Sequence, residues 1–116
     1  HGTTFGGNPV ACAAANVVLD ALDQEFLNEV SAKGEYLAQQ VKEIPGVSEV
    51  RGRGLMLGVV LNAPVAREAV KRGFAQGIIL NAPSENVLRL PPPLIISQQE
   101  IDAALEKLRT IVEELV

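Results

Sequence analysis

Apolar residues recur along this chain with two different periods. From Val10 to Leu22 they are so dense, with Ala11, Ala13, Ala14 and Ala15 among Val10, Val17, Val18 and Leu22, that a helix buried on more than one side is predicted. Asn8 and Pro9 supply its start, an N-cap side chain followed by a proline at the first helical position. A second helix is predicted from about Phe26 to Ile44, where Val30, Gly34, Leu37, Val41 and Ile44 recur at spacings of three and four. Gly34 inside it points to close packing, and Pro45-Gly46 ends it.

The period then shortens. Val47 to Val50 and Leu55 to Leu61 read as antiparallel strands joined by a turn at Arg51-Gly52-Arg53-Gly54. A third helix is predicted over Val65 to Gln76, with Gly77 as its stop, then short strands at Ile78 to Leu80 and Val87 to Leu90. Pro91-Pro92-Pro93 cannot donate ladder hydrogen bonds and must end the last strand. Ser97 and Glu100 form a capping box, and Ile101, Ala104, Leu105, Leu108, Val112 and Leu115 line one face of the final helix. Helices segregated from strands in this order define an α+β fold, a small mostly antiparallel sheet with helices on one face.

Composition narrows the function classes. The 116 residues suffice for one core, and the net charge of −4 with scattered basic residues disfavours a nucleic-acid partner. The longest apolar stretch, Val10 to Leu19, is too short to span a membrane. Cys12 is the single cysteine, which suits a reducing cytoplasm. Its Ala-rich surroundings predict a small buried filler rather than a reactive thiol. His1, the only histidine, has no cluster of metal ligands or triad partners around it, so neither a metal site nor a catalytic triad is expected.

Three places could carry chemistry. Thr3, Thr4, Gly6 and Gly7 precede a helix N-terminus, where hydroxyls, backbone N–H groups and the helix dipole would favour an anion such as phosphate; the alternative is a simple turn. Arg89 stands among apolar neighbours at a strand end. Its planar fork suits a carboxylate, but alternation would equally turn it to solvent, and the pattern leaves both open. Arg51 and Arg53 are expected as solvated arginines of a Gly turn.

Three strings then add a resemblance. His1-Gly-Thr-Thr-Phe-Gly-Gly-Asn-Pro9 resembles the class III aminotransferase signature H-G-[ST]-T-[FY]-G-G-N-P. Val50 to Gly58 (VRGRGLMLG) resembles that family's V-R-G-x-G-L-[ML] segment, and Val87 to Ile96 (VLRLPPPLII) its [IV]-[LI]-R-[LF]-x-P-P-L stretch. Leu80-Asn81-Ala82 is most similar to the acetylornithine aminotransferase branch. The resemblance implies the C-terminal small domain of a fold-type I pyridoxal-phosphate (PLP) enzyme, with residues 1–8 as a cofactor-proximal loop and residues 9–116 as the domain proper. It implies that Thr4 holds the PLP phosphate across a homodimer interface, that Thr3 lies against substrate, and that Arg89 holds the α-carboxylate of glutamate or 2-oxoglutarate. The imine-forming lysine and the aspartate that pairs the pyridine nitrogen lie upstream in that family. No catalytic residue is therefore expected here, the chain by itself is expected to be inactive, and its first helix should offer apolar surface to a larger domain. The implied reaction moves an amino group between N-acetylornithine and 2-oxoglutarate in cytoplasmic arginine biosynthesis. Ornithine, succinylornithine and 4-aminobutyrate are the alternative donors, and a stand-alone α+β regulatory or interaction module is the alternative of another class.

Overall fold

The computed structural model describes residues 2–116, so His1 and the expectations attached to it lie outside the described residues. Four helices and four strands follow in the order α1 (Pro9–Ala21), α2 (Gln24–Lys42), β1 (Val47–Arg53), β2 (Met56–Leu61), α3 (Ala66–Ala75), β3 (Asn81–Ser84), β4 (Val87–Leu90) and α4 (Gln98–Leu115). The strands form one sheet in the order β1-β2-β4-β3, antiparallel throughout. β1 and β2 make a hairpin. The chain then crosses through α3 to the far edge, and the β3–β4 hairpin brings β4 back beside β2. The fold is α+β.

The core lies between one face of this sheet and α2, α3 and α4. Leu57, Val59 and Leu61 of β2 and Leu88 and Leu90 of β4 are buried there against Leu37 and Val41 of α2, Ala66 and Ala69 of α3, and Ile101, Leu108, Ile111 and Val112 of α4. Removing a side chain of this size from water contributes about 1.5–3 kcal/mol, so this apolar layer drives the fold. Tyr36 donates to Asp102 at 2.6 Å, tying α2 to α4, and Arg72 meets Glu114 at 3.1 Å, tying α3 to α4. At the start of α4 the Glu100 backbone N–H donates to the Ser97 hydroxyl, and the Ser97 backbone N–H donates to the Glu100 carboxylate, each at 3.1 Å. The Ser97 backbone N–H first, and its hydroxyl second, hold the Glu100 carboxyl below its ordinary range.

Local signals set the element ends. Proline closes off β4 at Leu90, as the ladder argument requires. Pro83 sits in β3, an edge strand, where a missing N–H costs no internal ladder bond. The tightened last turn of α2, with Ile44 N–H donating to the Val41 carbonyl, stops that helix at Lys42 and still buries Ile44.

Gly34 packs against the β1–β2 turn. A Cβ built on Gly34 would overlap the Gly54 carbonyl and lie 2.7 Å from the Gly54 Cα, so helix and turn touch backbone to backbone. The turn itself is shorter than the sequence suggests. Arg51 to Arg53 continue β1, with Gly52 at φ 118°, and only Gly54-Leu55 make the reversal.

Three expectations are corrected. Residues 78–80 form no strand: the Ile78 N–H donates to the Gly73 carbonyl at 2.9 Å to finish α3, with Gly77 at φ 85°, and sheet pairing starts only at Asn81. α1 buries no residue within this chain. It stands clear of the sandwich, and the radius of gyration of 16.4 Å exceeds the value of about 13 Å for a compact chain of this length. Cys12 rides on α1 and is exposed rather than a buried filler. The apolar surface anticipated on this helix is present: Val10, Val17, Val18 and Leu19 are each more than half exposed. Among the described residues no helix is long and apolar enough to cross a membrane.

Candidate functional site

Thr3 and Thr4 lie in an exposed loop that turns at residues 4–7, where the Asn8 N–H donates to the Phe5 carbonyl at 3.1 Å. Gly7 takes φ 82°, a conformation that glycine adopts without a Cβ penalty. A Cβ at Gly6 would press on the Thr3 methyl at 3.1 Å, so the loop folds closely over Thr3. Among the described residues neither threonine hydroxyl, nor the N–H of Gly6 or Gly7, has a hydrogen-bond partner.

The end of α1 offers less than its position suggested. The Asn8 side chain accepts from the N–H groups of Val10 and Ala11, at 2.9 and 3.1 Å, and Pro9 has no N–H. The helix terminus is therefore satisfied by its own cap. The donors left without a partner among the described residues are the threonine hydroxyls and the N–H groups of Gly6 and Gly7 in the turn.

Arg89 belongs to β4, where Leu88 and Leu90 point into the core and Arg89 points the other way, onto the helix-free face. Alternation thus turns it to solvent, and among the described residues it has no ion-pair partner. Its guanidinium is a cation whose fork remains available to a carboxylate.

Register shows what Arg89 stands beside. It pairs with Gly58 of β2 on one side and Asn81 of β3 on the other, and Gly58 pairs in turn with Arg51 of β1. Arg51, Gly58, Arg89 and Asn81 form one row across the sheet, all on the helix-free face. Arg51 meets Glu49 at 3.0 Å with both side chains more than half exposed. That contact raises the Arg51 pKa and lowers that of Glu49, by hydrogen bond first and charge second. Arg51 is solvated as expected, but it belongs to β1 rather than to the turn. The available signal was the hairpin centre: a reversal at Gly54-Leu55 sets Arg51 opposite Gly58.

The structure does not join the loop to the sheet. Residues 2–21 are exposed throughout, and no hydrogen bond or ion pair among the described residues links Thr3 or Thr4 to Arg89. An apolar groove of about 600 Å³ lies between Ile78–Leu80, Pro91–Pro93 and α4, and holds none of these three residues. Among the described residues no group of His, Cys, Asp or Glu could hold a metal ion. Lys33, Lys42, Lys71 and Lys107 all lie on the helices α2, α3 and α4.

The loop and the strand segments thus carry three separated motifs in a fixed order on an α+β sandwich. A family model for class III aminotransferases matches residues 1–112, and the chain belongs to that family. It is 56% identical over 115 residues to an acetylornithine aminotransferase of Corynebacterium efficiens, covering 99% of this chain and 29% of that protein. The crystal structure of N-acetylornithine aminotransferase from Stenotrophomonas maltophilia superposes with a TM-score of 0.84 at 36% identity, over 95% of this chain and 32% of that one. An ornithine aminotransferase of Toxoplasma gondii, described with PLP at its active site, superposes with a TM-score of 0.83 at 31% identity, over 99% and 30% of the two chains. This chain therefore spans about three tenths of the length of these relatives.

Proposed function

We propose that this chain is the C-terminal small domain of a PLP-dependent aminotransferase that moves an amino group between N-acetylornithine and 2-oxoglutarate in arginine biosynthesis. Residues 1–8 form its cofactor-proximal loop and residues 9–116 the domain proper. The observation that carries the reading is Arg89: an exposed cation without an ion-pair partner among the described residues, within the very string that resembles the family's carboxylate-binding stretch.

When bound, PLP supplies the electron sink that lets the amino group move. Thr4 would donate its hydroxyl to the cofactor phosphate, the turn N–H groups of Gly6 and Gly7 would add donors, and Thr3 would lie against the substrate. Arg89 receives the α-carboxylate of glutamate or 2-oxoglutarate through two parallel N–H donors, which fixes the orientation of the substrate. The loop stands apart from the sheet, and this favours a homodimer in which Thr4 serves the neighbouring subunit's cofactor while Arg89 serves its own. The exposed apolar side of α1 is the surface that the rest of the enzyme covers. The remainder of the enzyme would supply the lysine that anchors the cofactor, and the 116 residues alone are expected not to transaminate. A cytoplasmic enzyme is in keeping with a lone free thiol at Cys12.

Donor choice is the point at which the acetylornithine and ornithine relatives part. Assayed with 2-oxoglutarate, the full-length enzyme is expected to use N-acetylornithine with the highest kcat/KM among N-acetylornithine, ornithine, succinylornithine and 4-aminobutyrate. A higher kcat/KM with ornithine would reassign the donor and leave the aminotransferase reading in place.

A further inference from the structure

We infer that Ile79 and Leu80, with the apolar groove beside them, are the docking site for an extended segment of the polypeptide outside these 116 residues, which adds to the sheet as a further strand. The inference rests on the reading of this chain as one domain of a longer enzyme. Two independent observations carry it: a stretch with strand character but no strand partner, and a gap that opens into the hydrophobic core.

Residues 78–80 have the apolar, partly β-branched composition of a strand and also its alternation: Ile78 is half-buried, Ile79 is 86% exposed and Leu80 is buried. They lead directly into β3. Yet only the Ile78 N–H is engaged, by the Gly73 carbonyl. The backbone N–H and C=O groups of Ile79 and Leu80 have no hydrogen-bond partner among the described residues. Pro91, Pro92 and Pro93 line the same groove and have no N–H to donate, so that stretch cannot complete a ladder with them. A free row of donors and acceptors next to an apolar groove is what an added strand recognises: the backbone supplies the pairing and the groove takes alternate side chains.

The groove holds about 600 Å³, and Leu37, Leu80, Leu90, Ile101 and Leu108 of its lining are members of the core. It is therefore a gap in the core itself rather than a depression on a finished surface. Glu100 and Lys107, both on α4, are the charged residues of its wall, and the rest of the lining is apolar. The segment that fills it is accordingly apolar at alternate positions. The occupant follows from covalent connection. A separate partner leaves the core open to water whenever it dissociates, whereas a segment of the same polypeptide fills the gap at the effective concentration of an intramolecular contact. Such a segment has a source: the chain covers 29% of its Corynebacterium efficiens relative, so about seven tenths of a polypeptide of that length lies outside it.

The test uses the full-length gene product and reads amide hydrogen exchange residue by residue. Successive N–H groups of an extended segment point to opposite sides, so a strand added on one side pairs with one of the two. The amide of Ile79 or of Leu80 is expected to exchange at least about a hundredfold more slowly than in an unstructured chain. A smaller slowing at both overturns the inference. The photo-crosslinking substitution Ile79→p-benzoylphenylalanine in the same enzyme then identifies what docks. The expected product keeps the mass of one subunit and carries the cross-link to a residue outside 1–116. Cross-links confined to residues 1–116 overturn the inference, and so does a product of twice the subunit mass, which assigns the groove to a second copy. The absorbance of the same preparation reads the aminotransferase assignment separately. Slow exchange and the expected cross-link without a PLP chromophore keep the docking and remove the function. Fast exchange at both amides with a PLP chromophore does the reverse.

Discussion

Replacing Gly34 by alanine destabilises this chain by at least about 3 kcal/mol, the upper range for forced overpacking. Propensity alone predicts the opposite sign, since alanine in a helix interior is favoured over glycine by about 1 kcal/mol. Sterics decides the outcome. The added Cβ meets the Gly54 carbonyl and Cα, which are backbone and cannot rotate aside as a side chain end would. Gly54 cannot withdraw easily, because it reverses the β1–β2 hairpin at φ 55° and its neighbour Leu55 is buried. Relief requires α2 to lift from the sheet, and α2 carries Leu37 and Val41 into the core. A domain of this size holds only about 5–15 kcal/mol in total, so the loss is a large fraction of it. Urea unfolding followed by far-ultraviolet circular dichroism reads the effect, and a midpoint at or above that of wild type would show that helix and turn do not touch.

The second large effect concerns substrate. Arg89→Ala in the full-length enzyme is expected to raise KM for 2-oxoglutarate at least about tenfold, the size of a lost charge-assisted pair. Stability should hardly change, because Arg89 is exposed and the core contacts of β4 belong to Leu88 and Leu90. That separation makes the result interpretable: a loss of affinity without a loss of fold assigns the side chain to binding. Arg89→Lys should fall between the two, retaining the charge but losing the planar fork that grips a carboxylate at two points. Unchanged affinity for 2-oxoglutarate in Arg89→Ala would remove the clamp.

Features governed by neighbours in sequence were legible in advance. Asn8 with Pro9, Ser97 with Glu100, and the stop at Pro91 each act within a few residues, and each stands as read. Features governed by distant partners were not. Ile78 to Leu80 have the composition of a strand, but the Ile78 N–H is taken by the C-terminus of α3, and pairing begins three residues later. The density of apolar residues in α1 shows that the helix needs a partner without showing where the partner lies, so burial was assigned to a helix that the sandwich does not cover, and Cys12 with it. Gly34 was read as a close-packing residue, and so it is, but against a turn whose position depends on the hairpin register.

For the site the division is similar. Arg89 stood out as a charge in an apolar string, and alternation alone left its two readings open. Arg51 shares a row with Arg89 only once β1, β2 and β4 are aligned, an alignment that no local pattern provides. The loop at Thr3 and Thr4 was attributed to a helix terminus that proves to be capped by Asn8. The hydroxyls and turn N–H groups are the donors left without a partner among the described residues.

The most direct test of the central claim is the absorbance spectrum of the purified full-length gene product before and after borohydride. The aminotransferase account predicts a visible chromophore that borohydride bleaches, leaving the cofactor covalently fixed so that it stays with the polypeptide on denaturation. A pure, folded product with no visible absorption, even after incubation with PLP, would contradict it and leave the α+β fold without the proposed function.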